Sequence, residues 1–380
     1  METESQRDWI VFSPKDVDLN FSPIQKSISA DTFVLGAFNP GFTTLPNGNL
    51  LMMVRVAEAL KNPKENNKIN YIRWCAGEKY IIDSIPVEEV DLSDPRKFRV
   101  LKYKSNTVYI LTSFSWLLPV ELSSDGKEII HIHYDKVIES EKHYHEFGIE
   151  DARITRIENK YYMTTCGVSS DRQNTTLYSS EDGLNYKLEG MILDHQNKDM
   201  VLFPQKIKGK YCALSRPWGD HYFMPPAKCK GFQGAKINLS ESLDLLHWKP
   251  YEKPFLCFSS VSHEFVKFGA GAAPILTNSG WLIIFHGVKE SGAVGQYITY
   301  WALFDKDDPS KLLHCDFNDP LLNDNPSLTD QYESLKYLSD VVFTTGVEKS
   351  GEDFIIASGE LDLCCRLTLV HKNRFNLSKN

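Results

Sequence analysis

The sequence predicts an all-β fold, and three observations favour a β-propeller within that class. Short runs of apolar, β-branched or aromatic residues, each opened by a Gly or Asn turn signal, recur every several tens of residues. Aromatic residues make up 12% of the chain, while helical periodicity is scarce. Several of the runs end in a polar residue, namely Arg55, Arg216 or His286. These ends would meet around one axis if each run were the equivalent strand of a propeller blade.

The turn-and-strand pattern occurs at 47–55, 105–113, 158–165, 208–216, 278–286 and 350–359. This spacing is too wide for the hairpins of one sandwich, and it fits a propeller of five or six blades. A β-sandwich with unrelated strand ends is the alternative. We expect a turn of helix or a loop at 242–248 and a loop with at most one helical turn at 307–313. We also expect an irregular arm at residues 1–30 and a single domain at residues 31–380.

The composition narrows the class of protein. The 380 residues are 42% hydrophobic and 24% charged, as in soluble globular proteins, and the net charge of −8 argues against a general nucleic-acid binder. No apolar run is long enough to predict a membrane span, and the polar N-terminus lacks the apolar segment of a signal peptide. The 8 cysteines form no CxxC motif, so we expect reduced thiols, no zinc site and a cytoplasmic location.

The most polar motif, at 148–156, lies directly ahead of an apolar strand. It places Glu150, Asp151 and Arg153 side by side. One interpretation is an active site in which a carboxyl group is a general acid and Arg153 holds substrate or sets the pKa of that acid. Because a carboxylate beside a guanidinium stays ionised, such an acid needs desolvation or an indirect proton route. The alternative is a surface ion pair at the start of a strand.

Other polar motifs fit a binding site but also have ordinary explanations. Lys198 and Asp199 precede an apolar run, and they would otherwise be a solvated charge pair. Arg216 and His286 end strands; an arginine in such a place binds phosphate or carboxylate well, whereas a histidine there is often a buried core residue. Lys267 opens a glycine-rich segment that suits a phosphate or a tight turn, although it matches neither the Walker nor the dinucleotide-binding pattern.

Taken together, these motifs resemble glycoside hydrolase family 130, which comprises β-mannoside phosphorylases and related β-1,2-mannosidases. The matching pieces run in the family's order over residues 36–362. They are 38–40 (FNP), 53–55 (MVR), 148–154 (GIEDARI), 198–204 (KDMVLFP), 214–217 (LSRP), 267–271 (KFGAG), 280–288 (GWLIIFHGV), Tyr297 and 303–305 (LFD). No one motif is decisive, but their order and spacing together are specific.

The resemblance implies a five-bladed β-propeller with the active site in its central channel. It implies that Asp151 is the catalytic acid, which protonates the leaving oxygen through a hydroxyl group of the mannose. Inorganic phosphate, the co-substrate, attacks the anomeric carbon from the opposite face, and no metal or other cofactor is implied. The phosphate-binding positions are Arg216, Lys267, His286 and Tyr297. The positions that hold the sugar or shape the site are Asn39, Arg55, Arg153, Lys198, Asp199 and Asp362.

Three functions are open on the sequence alone. The favoured one is an inverting phosphorylase that acts on a β-mannoside oligosaccharide and releases α-mannose 1-phosphate, because the basic and hydroxyl partners of phosphate are all retained. A β-1,2-mannosidase would instead need a second carboxylate to activate water, for which Glu264, Asp220 and Glu333 are candidates. A non-catalytic carbohydrate-binding propeller is the third, although it has no reason to keep both an acid and an anion pocket.

Three departures from the family pattern bear on the acceptor sugar and on activity. Ala152 stands where the family's acid motif has proline, and residues 359–361 read Gly-Glu-Leu in place of Gly-Ala-Ala. Residues 218–234 look like an insertion beside Arg216. The sequence predicts no nucleic-acid or membrane partner; it leaves the linkage, the acceptor and a homo-oligomeric state open.

Overall fold

A computed structural model of the chain describes residues 6–104, 107–217, 235–251 and 264–375. Regular structure in these ranges is almost entirely β. The strands of the first part are β1 (Arg7–Phe12), β2 (Thr32–Thr44), β3 (Leu50–Leu60), β4 (Lys64–Glu65), β5 (Lys68–Cys75), β6 (Lys79–Pro86), β7 (Val90–Asp91), β8 (Lys97–Val100), β9 (Val108–Leu111), β10 (Phe114–Leu122), β11 (Ile129–Ile132), β12 (Ile149–Ile157) and β13 (Lys160–Val168). Those of the second part are β14 (Gln173–Ser180), β15 (Lys187–Leu193), β16 (Asn197–Leu202), β17 (Tyr211–Pro217), β18 (Asn238–Ser242), β19 (Trp248–Pro250), β20 (Phe265–Ala270), β21 (Ile275–Thr277), β22 (Gly280–Lys289), β23 (Gln296–Phe304), β24 (Leu312–Cys315), β25 (Val342–Ser350), β26 (Asp353–Glu360) and β27 (Cys364–His371). Short 3-10 helices lie at Pro14–Asp16, Leu19–Phe21, Val87–Glu89, Tyr134–Lys136, His143–His145, Pro326–Leu328, Asp330–Leu335 and Lys372–Phe375.

In the described ranges the strands form five large antiparallel sheets and two small ones. Sheet 1 has the order β2-β3-β10-β11, sheet 2 the order β12-β13-β14-β15, and sheet 3 the order β16-β17-β18-β19. Sheet 4 has the order β20-β22-β23-β24 with β21 paired to β22, and sheet 5 the order β25-β26-β27-β1. The small sheets β4-β5-β6 and β7-β8-β9 both lie between β3 and β10, in residues 61–113, which we name the insert. The predicted all-β class is confirmed, and no helix within these ranges has the length and apolar character of a membrane span.

Most of the predicted turn-and-strand units are the second strand of a large sheet, namely β3, β13, β17, β22 or β26. These strands are almost fully buried; β3, for example, has a single half-buried residue. Because such a strand has apolar neighbours on both faces, its sequence is a continuous apolar run. The unit at 105–113 is the exception, since Val108–Leu111 pairs with β8 in the insert. A local turn-and-strand pattern does not specify which strand it will pair with, and residues 105–106 lie outside the described ranges.

The N-terminal segment differs from the predicted irregular arm. Arg7–Phe12 pairs with Cys364–His371, so sheet 5 is built from both ends of the chain. The buried guanidinium of Arg366 fixes this pairing, because its Nη2 lies 2.9 Å from Asp8 and its Nη1 lies 2.9 Å from Glu360. Sequence inspection missed the strand because its partner lies more than 350 residues away along the chain.

Each large sheet packs against two others. Apolar clusters join sheets 1 and 2, sheets 2 and 3, sheets 3 and 4, sheets 4 and 5, and sheets 5 and 1. The first strands of sheets 1 to 4 follow the same order, since β2 contacts β12, β12 contacts β16, and β16 contacts β20. The first strand of sheet 5, β25, contacts β2 of sheet 1 and β22, the second strand of sheet 4. The five sheets therefore form a closed cycle, held together mainly by burial of apolar surface between neighbours.

The first strand of every large sheet has a bulge, at which its register against the second strand shifts. Bulges re-aim side chains and are common beside active sites. They lie between Phe38 and Gly41 in β2, Glu150 and Arg153 in β12, Lys198 and Val201 in β16, Phe265 and Lys267 in β20, and Thr344 and Gly346 in β25. Most of the residues predicted from the sequence to form the site stand at or next to one of these bulges.

Candidate active site

A cavity of about 320 Å³ lies where the first strands meet. Nine of the residues predicted for the site line it: Asn39, Arg55, Asp151, Lys198, Asp199, Arg216, Lys267, Tyr297 and Asp362. The two others, Arg153 and His286, are fully buried and lie behind the lining residues. The volume is within the range of small-molecule sites, and the lining is unusually rich in charge.

Asp151 lies within a network of donors on one wall of the cavity. Its Oδ1 accepts hydrogen bonds from Asn39 Nδ2 and Arg55 Nη1, both at 2.9 Å. The neighbouring Glu150 accepts from Arg55 Nη2 at 2.9 Å and from Lys198 Nζ at 2.8 Å. Burial alone would raise the pKa of Asp151, but Arg55, Lys198 and Arg153 outweigh burial and hold that pKa below its usual value. Asp151 is therefore ionised in the free protein.

An uncommon backbone conformation directs several of these side chains. Asn39, Asp151, Asp199 and Asp362 have φ angles of 47°, 53°, 56° and 50°. For L-residues other than glycine this left-handed conformation costs about 1 kcal/mol or more each. The first three stand at the bulges of β2, β12 and β16. Such strain persists only where the surrounding structure enforces it, and it is concentrated at functional sites.

Asp199 organises a second group of nitrogen donors in the cavity. Arg216 Nε donates to Asp199 Oδ2 at 2.6 Å, and the ring of His286 lies 3.5 Å from the same oxygen. Arg153 approaches Asp199 Oδ1 at 3.6 Å and donates to the backbone oxygens of Asp151 and Gly271. Burial lowers the pKa of His286 to about 3 despite the carboxylate, so the ring is neutral. A neutral ring offers one N–H donor.

Lys267 and Tyr297 form a second pair facing the cavity. The ammonium group of Lys267 is in hydrogen-bond contact with the phenol oxygen of Tyr297. Burial lowers the pKa of Lys267. Burial would raise the pKa of Tyr297, but Lys267, Arg216 and Arg96 outweigh it and lower that pKa. A cation and a polarised hydroxyl group side by side are suited to an anionic ligand.

The glycine-rich segment after Lys267 does not form a phosphate loop. Gly269 lies in β20 opposite His286, and a Cβ added to it would collide with Asp199 Oδ2 and with the ring of His286. Gly271 presents its carbonyl oxygen to Arg153 at 2.6 Å. The glycines therefore let β20 approach the buried polar groups closely.

We expect Gly269→Ala to reduce turnover by about 100-fold or more, because its new methyl group would displace Asp199 and His286 by a fraction of an ångström to one ångström. Gly292→Ala is the control: a Cβ there meets no atom within 4 Å, and the φ of 53° adds only local backbone strain at an exposed turn, which can lower the melting temperature but should leave turnover unchanged. Turnover of the β-mannoside that the sequence resemblance implies, and the melting temperature, would be measured for both variants. Unchanged turnover in Gly269→Ala would contradict this account of β20.

Asp362 lines the cavity from the end of sheet 5. Its backbone oxygen accepts a hydrogen bond from the phenol of Tyr337 at 3.1 Å. Burial raises the pKa of Asp362, against the opposing effects of Arg96 and Arg55. Asp362 and Asp151 therefore have pKa values shifted in opposite directions within one cavity, an arrangement typical of catalytic sites.

Sequence analysis missed several lining residues, which are Gln173, Tyr337, Phe343, Arg96 and Lys97. Phe343 packs its ring 4.7 Å from that of His286, and the guanidinium of Arg153 lies 5.2 Å from its centroid. Arg96 and Lys97 stand in the insert, where no strand pattern relates them to the large sheets. Their position depends on how the insert folds back, which their local sequence does not reveal.

Two of the three carboxylates considered for water activation do not line the cavity. Glu264 is exposed and pairs with Lys289 at 3.0 Å, and Glu333 is exposed and pairs with Lys336 at 2.7 Å. The third candidate, Asp220, lies outside the described residues, as does the insertion at 218–234. Within the described ranges, no group of three or more His, Cys, Asp or Glu side chains is arranged to hold a metal ion.

Comparisons with known proteins find a family model and relatives that match this chain. A family model described as beta-1,4-mannooligosaccharide phosphorylase matches residues 96–377. A beta-1,2-mannobiose phosphorylase of Listeria innocua is 29% identical over 354 residues, which are 92% of each chain. A 1,2-beta-oligomannan phosphorylase of Thermoanaerobacter is 30% identical over 63% of this chain and 74% of its own.

Solved structures give the same result. The Listeria innocua enzyme in complex with beta-1,2-mannobiose superposes with a TM-score of 0.81, at 26% identity and with 98% of this chain and 99% of that chain covered. A glycosyl hydrolase from Bacteroides ovatus shares the fold with a TM-score of 0.61 at 17% identity, over 96% of this chain and 94% of its own. The fold is thus that of a carbohydrate-active enzyme family. The chain belongs to glycoside hydrolase family 130, as its motifs indicate.

Proposed function

We propose that this protein is an inverting β-mannoside phosphorylase, which cleaves a β-mannosidic bond with inorganic phosphate and releases α-mannose 1-phosphate. One observation carries the proposal: the cavity that holds Asp151 on one side holds Arg216, Lys267 and Tyr297 as well, with His286 directly behind them. Six basic and four acidic side chains line this cavity, which leaves an excess of positive charge for an anionic co-substrate.

The proposed reaction needs one acid and no base. Asp151 passes a proton to a hydroxyl group of the mannose, and that hydroxyl group passes its own proton to the glycosidic oxygen. An oxygen of the phosphate attacks the anomeric carbon from the opposite face as the glycosidic bond breaks, so the configuration is inverted. Because phosphate is already anionic, it requires Arg216, Lys267 and Tyr297 as partners and no carboxylate to activate it. His286 supports this group from behind, through its contact with Asp199 at 3.5 Å.

The ionised state of Asp151 in the free protein sets a condition on this reaction. Asp151 has to gain a proton before it can donate one, and its ion pair with Arg55 at 2.9 Å opposes that gain. We infer that a bound mannose takes over part of the hydrogen bonding of Arg55 and excludes water, and both changes raise the pKa of Asp151 towards the acid form. Binding of the substrate thus promotes the protonation of Asp151.

We propose a β-1,2-linked mannobiose as the substrate. The support is that the relative from Listeria innocua is named beta-1,2-mannobiose phosphorylase, covers almost the whole chain, and has been solved with beta-1,2-mannobiose. The family model itself is described by a β-1,4 activity. A hydrolytic reaction has less support, because Glu264 and Glu333 lie at the surface.

We infer that sheets 1 to 5 are the blades of a five-bladed β-propeller and that the cavity lies in its central channel. The closed cycle of apolar clusters and the bulged first strands support this arrangement. Pairing of β1 with β27 would close the last blade with the two ends of the chain. We also propose a cytoplasmic location, which the free thiols of the described cysteines suit.

The function is tested by incubating the protein with β-1,2- and β-1,4-mannobiose, each with and without phosphate. Phosphorus NMR would report sugar phosphate, and proton NMR would report its anomeric configuration. We expect α-mannose 1-phosphate from the β-1,2 substrate, formed only when phosphate is present. Free mannose released at the same rate without phosphate would overturn the proposal.

A further inference from the structure

Two basic side chains of the insert reach the cavity, and the family motifs described above do not include them. Arg96 and Lys97 line it together with Arg216, Lys267 and Tyr297. Both are half-buried and follow the turn at Pro95 directly, at the start of β8. The insert therefore supplies one wall of a cavity whose other walls come from the large sheets.

Asp94 holds Arg96 in a defined orientation. Its carboxylate accepts hydrogen bonds from Nε and Nη2 of Arg96, both at 3.2 Å, and from the backbone nitrogen of Arg96 at 3.0 Å. This bidentate pairing leaves Nη1 on the edge of the guanidinium that points away from Asp94. Arg96 lines the same cavity as Asp362 and Tyr297. Burial would lower the pKa of Arg96, but the hydrogen bond to Asp94 and the charges of Asp362 and Tyr297 outweigh burial and raise that pKa.

Lys97 has mostly cations as charged neighbours. Its ammonium group lies 4.0 Å from the ring centroid of Tyr109, and no described residue forms a salt bridge with it. Burial, together with the positive charges of Arg96, Lys198 and Lys267, lowers the pKa of Lys97 to about 8, although Asp94 opposes this. Lys97 and Lys267 both line the cavity, and neither forms a salt bridge with a described carboxylate. Two such cations are stabilised when an anion binds between them.

We propose that Arg96 and Lys97 form an additional part of the phosphate site, contributed by the insert. The ligand they recognise is a phosphate dianion, either free or as the phosphate group of α-mannose 1-phosphate. Arg216 of β17 and Lys267 of β20 line the same cavity, so residues of the insert and of two large sheets would bind the anion together. The inference rests on the proposed function, since it assigns residues to the same phosphate.

The experiment measures phosphate binding directly by titration calorimetry, and turnover separately. The variants are Lys97→Met, Arg96→Met and, as the charge-retaining variant, Lys97→Arg. Lys102→Met is the matched control in the same insert, because Lys102 pairs with Glu89 at the surface. We expect the dissociation constant of phosphate to rise about tenfold or more in the two Met variants, with partial recovery in Lys97→Arg and no change in Lys102→Met.

The Michaelis constants distinguish this role from a structural one. In both Met variants the KM for phosphate should rise, while the KM for mannobiose and the melting temperature stay within error of the wild type. Titration of α-mannose 1-phosphate tells whether the sugar-linked phosphate group depends on the same residues. Phosphate bound equally well by all variants would overturn this inference and leave the proposed function intact. Activity without phosphate, combined with weaker phosphate binding in the Met variants, would overturn the proposed function alone.

Discussion

Replacing Asp151 by asparagine should abolish most phosphorolysis, with kcat/KM for mannobiose reduced by about 1,000-fold or more. General acid catalysis contributes about 10²- to 10⁴-fold to a reaction of this type, and asparagine has no proton to give. The substitution is nearly isosteric. The asparagine oxygen can still accept the 2.9 Å hydrogen bonds from Asn39 and Arg55, so we expect the fold to be retained.

Glu150→Gln is the matched comparison for this variant. Glu150 is the neighbouring carboxylate on β12, and it also accepts from Arg55, but its other partner is Lys198. Replacing Glu150 should lower turnover because Arg55 and Lys198 would be misplaced. We expect this loss to be smaller than the loss in Asp151→Asn. Initial rates with and without phosphate, and melting curves, would be recorded for both variants. If Asp151→Asn kept a tenth of wild-type turnover, or if Glu150→Gln were the more impaired, Asp151 would not be the acid.

A chemical rescue would separate the proton-donor role from a positioning role. A mannoside with a good leaving group, such as an aryl mannoside, needs little protonation at the leaving oxygen. We expect Asp151→Asn to recover a large part of its activity on this substrate, whereas a variant that only misplaces the sugar would not. Equal losses on both substrates would assign Asp151 to substrate positioning.

Much of the fold could be predicted, because buried strands have recognisable apolar sequences. The second strands, such as β17 and β22, are continuous apolar runs after glycine turns, since each is covered on both faces. The sequence does not predict a strand at Arg7–Phe12, because this segment becomes a strand only by pairing with residues near the other end of the chain. The sequence groups strand β9 with the second strands of the large sheets, whereas β9 pairs with β8 in the insert. The reason is related: a local sequence pattern does not specify which strand a segment pairs with.

The sequence predicts which residues form the site better than it predicts how they are arranged. Arg55 and Arg216 end apolar strands, and this placement indicated that they face a common centre, as their contacts with Asp151 and Asp199 show. The left-handed backbone of Asp151 could not be anticipated, because aspartate in a strand ordinarily has an extended φ. The placement of Arg153 behind Asp199 likewise follows from packing, since its guanidinium satisfies two carbonyl oxygens.

Replacing Lys267 by methionine should have the second-largest effect, and the effect should appear in the kinetics of phosphate. Lys267 reaches the cavity from the bulge of β20, and its ammonium group contacts the phenol of Tyr297. Removing a fixed cation from a water-poor site that stabilises developing charge costs about 10²- to 10³-fold in rate. Methionine keeps the length and the apolar contacts of the side chain, so the fold should be retained.

The pKa of Tyr297 offers a second measurement on Lys267→Met. Lys267 is the main cause that lowers the pKa of Tyr297 against the effect of burial. In Lys267→Met that support is lost, so the pKa of Tyr297 should rise, and the phenol should titrate at higher pH in an ultraviolet difference spectrum. The direction follows because a nearby cation favours the phenolate, and its removal favours the neutral phenol.

Lys289→Met is the control for Lys267→Met. Lys289 ends the adjacent strand β22, but its ammonium group pairs with the exposed Glu264 at 3.0 Å. An exposed pair of this kind contributes about 1 kcal/mol or less to stability. We therefore expect wild-type KM for phosphate and wild-type kcat in Lys289→Met, against a large rise in KM for phosphate in Lys267→Met. If the KM for phosphate and kcat were the same in the two variants, Lys267 would not belong to the phosphate site. If only the KM for mannobiose rose in Lys267→Met, Lys267 would bind the sugar.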